Sequence, residues 1–84
     1  MVISVQFKDK NKVFKGHSYD YLLHKDEKVP SYGNIIRMMD ENYNYAYNGT
    51  RVKVVGVRNE TEEDRNNLLV VRYIKTTLDS ILIL

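Results

Sequence analysis

Cysteine and tryptophan are absent from this chain of 84 residues, and proline occurs once. Without cysteine there is no disulfide framework, no thiolate nucleophile and no Cys-based zinc site. No apolar run approaches the roughly 18 residues that a membrane-spanning helix needs. The opening Met1-Val2-Ile3-Ser4-Val5-Gln6 lacks the basic and apolar regions of a secretory signal, so a cytoplasmic protein is expected. The two Asn-x-Thr sequons, at Asn48 and Asn59, are then chance occurrences, because glycosylation requires secretion. The four glycines, at positions 16, 33, 49 and 56, are scattered and form no phosphate-cradling loop. No serine sits in a Gly-x-Ser-x-Gly elbow. Ser18, His17 and Asp20 are too close on one strand to converge as a triad, since neighbouring side chains diverge. No catalytic residue is assigned, and a non-enzymatic protein without a cofactor is expected.

Metal ligation is equally poorly supported. His17, Asp20, His24 and Asp26 are close in sequence, but His17 and Asp20 fall on opposite pleats of a strand-like segment and His24 lies beyond it. No metal site is assigned. Paired carboxylates occur only in the run Glu60, Glu62, Glu63 and Asp64, which reads as a solvated loop surface.

What the chain does contain is strand pattern. Hydrophobic residues make up 43% and charged residues 29%, as in an ordinary globular domain, and the length allows a single domain over residues 1–84. Ile3, Val5 and Phe7 alternate with Ser4 and Gln6, a half-buried strand. Asp9-Lys10-Asn11-Lys12 suits a hairpin loop, and Val13–Leu23 returns as a second strand with a bulge or bend at Gly16. Residues 33–39 fit a helix capped by Asn34 or a strand built on Ile35 and Ile36; the strand is preferred. Asn48-Gly49 favours a two-residue type I′ turn. That turn sets Tyr47, Tyr45 and Tyr43 opposite Thr50, Val52 and Val54 on one face, with Asn44, Ala46, Arg51 and Lys53 on the other. Thr61 and Asp64 resemble a capping box for one helical turn. Leu68–Lys75 reads as a further, central strand, and the tail ends in the apolar Ile81, Leu82, Ile83 and Leu84. The fold expected is all-β: five or six strands in a curled sheet or small barrel with at most one short helical segment, α+β being the alternative.

Charge is uneven. Residues 1–58 carry ten Lys/Arg against six Asp/Glu, and residues 59–84 carry three against five. The excess is densest at Lys8, Lys10, Lys12 and Lys15. With Arg51, Lys53 and Arg58 these lysines form the candidate phosphate-binding set. Their bland alternative is a lysine-rich edge that blocks sheet-to-sheet aggregation. The stripe Tyr43, Tyr45, Tyr47 is assigned to the core or its rim, the alternative being a platform on which bases stack.

Val5-Gln6-Phe7-Lys8-Asp9-Lys10-Asn11-Lys12-Val13-Phe14 is similar to the opening of many small phage-encoded proteins, in which a strand ending in Phe turns through Asp/Asn into an aromatic strand. Gly33-Asn34-Ile35-Ile36 and the stretch from Thr50 to Val57 resemble their later barrel strands, and those of the N-terminal β-domain of primosomal helicases, which binds DNA ends. The resemblance implies a phage or mobile-element origin, a β-barrel and a place in the host-cell cytoplasm; it transfers no functional residue. Two functions follow as expectations. The first is nucleic-acid binding through the basic residues. The second is binding of a host protein, or a homodimer contact, through strand pairing and Ile81–Leu84.

Overall fold

The structure is a computed structural model that describes residues 1–69. Four strands form one antiparallel sheet: β1 (Val2–Gln6), β2 (Tyr19–Leu22), β3 (Ile35–Arg37) and β4 (Arg51–Arg58), in the order β2-β1-β4-β3. β1 pairs with β2 on one side and β4 on the other, and β2 and β3 are the edges of an open sheet. The barrel closure and the five or six strands expected from the sequence are not found among the described residues. Of the strand expected at 68–75, only Leu68 and Leu69 are described, and both are helical, in a segment that begins at residue 62. The tail residues Ile81–Leu84 lie outside the described residues.

The period-2 pattern decides which face holds the main core, while Val2 and Leu22 are buried on the opposite face. Ile3, Val5, Val52 and Val54 are fully buried, and Tyr21, Leu23, Met38 and Ala46 complete that core, with Phe7, Ile36 and Tyr47 packed at its margin. On β4 the sequence division holds: Val52 and Val54 point inward and Arg51 and Lys53 outward. β4 carries one extra residue, Val55, where the β1 register passes from Ser4↔Gly56 to Val5↔Val54. Such a bulge bends the strand and raises its twist.

The strand pairing expected around Asn48-Gly49 is a correction, whereas the tight turn at Asn48-Gly49 itself forms. Tyr47, Asn48 and Gly49 all have positive φ, at 52°, 57° and 74°, and wind into a single turn closed by Gly49 N–H to the Ala46 carbonyl and Thr50 N–H to the Tyr47 carbonyl. On the side away from β1, β4 pairs with β3, with Ile36 opposite Val52. Three tyrosines against Val52 and Val54 would carry three hydroxyls into the core, each needing a hydrogen-bond partner; Ile36 and Met38 fill the space without that cost. Tyr43 and Tyr45 are accordingly 54% and 60% exposed.

Residues 38–46 form a small hairpin of their own, built like the tip of the β1–β2 hairpin. In Asp9–Val13 the carboxylate of Asp9 accepts the N–H groups of Asn11 and Val13, and Lys12 takes a φ of 61°. In Asp40–Asn44 the carboxylate of Asp40 accepts those of Asn42 and Asn44, and Tyr43 takes a φ of 63°. In both, the Asp N–H bonds the carbonyl four residues on, and the N–H three residues on returns to the Asp carbonyl. The shared Asp-x-Asn is an Asx turn that lets the backbone reverse in three residues.

The far end of the sheet is tied by ion pairs. The α-amino group of Met1 meets Glu60 at 2.8 Å, and Glu60 also receives Arg65 at 3.1 Å. The guanidinium of Arg58 forks onto both oxygens of Asp64 and reaches Asp20 at 3.3 Å. Thr61 and Asp64 form the expected capping box, each accepting the other's backbone N–H. The Arg58 fork, then the Thr61 N–H, hold the Asp64 carboxyl well below the usual carboxylate range. The Met1 ammonium, then Arg65, lower that of Glu60.

Candidate nucleic-acid interface

β1 runs away from these ion pairs, and Lys8 lies six residues beyond Val2, about 20 Å along the strand. β4 runs back, so Arg51 stands at the Lys8 end and Arg58 at the other. Charge that is merely uneven in the sequence is thereby divided along the strand axis.

At the Lys8 end, the sheet face opposite the core carries Gln6 and Lys53 in register, then Ile35 beside Lys53, then Arg37 beside Arg51. Lys8 is bridged to Phe14 beyond the end of β1. An open recess of about 710 Å³ lies here, lined by Lys8, Phe14, Ile35, Arg37, Tyr45 and Arg51 with Ile36 and Met39. Its rings and cations are interleaved. The Lys8 ammonium is 5.3 Å from the Phe14 ring centre, and the Arg37 guanidinium is 5.4 Å from that of Tyr45. Arg37 is also fixed by donating from Nε to the Gly49 carbonyl at 3.2 Å, a bond that uses one of its five N–H donors.

A second recess of about 360 Å³ shares Lys8 and adds Phe7, Lys15, His17, Tyr19 and Tyr47. Phe7 meets Tyr19 and Tyr47 edge to face, with ring centres 5.6 and 5.3 Å away. Among the described residues, no carboxylate lines either recess. A smaller hollow at the other end of the sheet, about 240 Å³, is lined by charges of both signs, Glu27 and Glu60 with Lys25 and Met1.

Among the described residues, none of Lys8, Lys10, Lys12, Lys15, Arg37, Arg51 and Lys53 forms an ion pair, whereas Arg58 and Arg65 do. Lys8 and Arg51 share the larger recess, and Lys15 lines the smaller. Lys10 and Lys12 are exposed on the hairpin tip. Lys53 is half-buried one row inward. Arg58 stands apart at the opposite end with its charge already met by Asp64 and Asp20, which raise its pKa above the ordinary value. The histidines and carboxylates weighed as metal ligands are dispersed. His17 lines the smaller recess, Asp20 holds Arg58, His24 faces Glu27 and the Asp40 carbonyl, and Asp26 accepts the Tyr43 hydroxyl.

Sequence reasoning missed Arg37 and Phe14 as site residues, and weighed Tyr45 as a stacking residue only as the alternative to a place in the core. The signal for Arg37 was present: with 33–39 read as a strand and Ile36 inward, Arg37 points outward beside Ile35. Comparison with family models, curated proteins and solved structures finds no match to this chain.

Proposed function

We propose that this chain binds nucleic acid at the Lys8 end of its sheet. The observation that carries the reading is the Arg37–Arg51 pair. These two residues stand directly opposite each other on β3 and β4, and among the described residues no carboxylate lines the recess they share. Like charges in that position destabilise a sheet. A sequence that keeps such a local conflict, and brings Lys8 to it as well, has an arrangement whose repulsion is relieved when an anion enters. A polyanion with flat, stackable groups suits the interleaved Phe14 and Tyr45 better than a bare phosphate does.

Position, rather than net charge, separates this from non-specific attraction. Lys25 and Lys28 are exposed on the β2–β3 connection, outside both recesses. The double variant K8A/R51A and the double variant K25A/K28A change net charge equally. Binding of a labelled oligonucleotide that is lost in the first and kept in the second supports the site. Equal losses in both would dismiss it in favour of diffuse electrostatics.

A further inference from the structure

Resting on that reading, we propose that the occupant is a single strand, with Lys8 placed between two successive base-stacking positions. Three features of the molecule converge on this. Lys8 lines both recesses, so one phosphate contact is common to the two. Each recess has its own aromatic wall: Phe14 and Tyr45 in the larger, Phe7, Tyr19 and Tyr47 in the smaller. The outermost rings are open to the surroundings, Tyr45 being 60% exposed and Tyr19 45% exposed.

A duplex keeps its bases stacked on one another and offers the protein chiefly its phosphates, so these rings would add little. A single strand offers base faces, which stack on aromatic side chains and on guanidinium planes whatever the base. The Arg37–Tyr45 contact supplies both kinds of surface together. The cations fit the same occupant. Lys8, Lys15, Arg37 and Arg51 line the same recesses as the rings, so the phosphates of a strand whose bases stack there would meet them. Stacking on these rings is indifferent to the identity of the base, so the preference expected is for strandedness and not for sequence.

The test uses the whole chain with three probes: a labelled oligothymidine, a hairpin duplex of equal charge, and inorganic polyphosphate as competitor. The single strand is expected to bind at least about tenfold more tightly than the duplex. Tyr45→Ala should weaken oligothymidine binding by about tenfold, near the lower end of what one lost stack removes, and leave polyphosphate competition unchanged. Tyr45→Phe should restore binding, because the ring is kept and only the hydroxyl is lost. A thermal melt of each variant confirms that this exposed position leaves the fold intact. Equal affinity for strand and duplex, with Tyr45→Ala inert, would overturn the single-strand inference while leaving the nucleic-acid reading standing. No binding of either oligonucleotide at about 50 mM salt would overturn both.

Discussion

Replacing Arg51 by Gln should make the protein more stable and a poorer ligand for nucleic acid at the same time. In the β3–β4 register Arg51 faces Arg37 directly, and both side chains are exposed. Like-charge cross-strand pairs cost up to about 1 kcal/mol, and solvent screening with splaying of two long side chains places this one at about 0.2–0.5 kcal/mol. For a domain of this size that corresponds to a rise in Tm of about 1–4 °C, larger at low salt because screening weakens the repulsion being removed. The binding loss follows from counterion release. One phosphate contact to a single strand contributes about 0.7 to the slope of log K against log salt, so its removal lowers affinity about eightfold at ~50 mM salt and about threefold at ~200 mM. Differential scanning calorimetry and anisotropy titrations on the same preparations read the two effects. An unchanged or lowered Tm would refute the repulsion. A Kd that stays the same at both salts would refute the phosphate contact.

Other parts of the structure give sharp expectations. Asp40 is buried and its carboxylate accepts two backbone N–H groups, so Asp40→Ala should cost about 1–3 kcal/mol in urea unfolding; the more exposed Asp9→Ala should cost less. Asp64 and Glu60 have carboxyl pKa values lowered in the folded state, so their stabilisation is present above the ordinary carboxylate pKa and is lost as pH falls through the folded values. Thermal melts should therefore fall on acidification below about pH 4.5, and Asp64→Asn should flatten that fall. Ile3→Ala empties a fully buried position and should destabilise by about 2–5 kcal/mol, read as a lower urea midpoint with little change in slope.

How much of this was legible in the sequence depended on the range of each signal. The alternation in β1 and β4 depends on each strand alone, and it correctly divided Val52 and Val54 from Arg51 and Lys53. The capping box and the Asp9 turn are equally local, and both formed as their residues suggested. The tyrosine hairpin failed because Asn48-Gly49 chemistry fixes positive φ without fixing which segment pairs with β4. Ile36 and Met38, with no hydroxyl to satisfy, took the place assigned to Tyr45 and Tyr47. Leu68 and Leu69, read as the start of a strand, are helical because the Thr61 cap had already started a helix, and a short apolar run does not separate the two; the rest of that run lies outside the described residues. Within the site, Lys8, Lys15 and Arg51 were visible as charge. Their meeting with Arg37, Phe14 and Tyr45 depends on registers between strands remote in sequence. The pairing of Arg58 with Asp20 spans 38 residues, and no local pattern announces it.

If the cations at the Lys8 end take up phosphates, the affinity for oligothymidine must fall with salt. With Lys8, Lys15, Arg37 and Arg51 each displacing a counterion, the slope of log K against log salt should be near −3, which is about a fiftyfold loss of affinity between ~50 and ~200 mM. Absence of binding at the lower salt, or binding whose affinity does not change with salt, would contradict it.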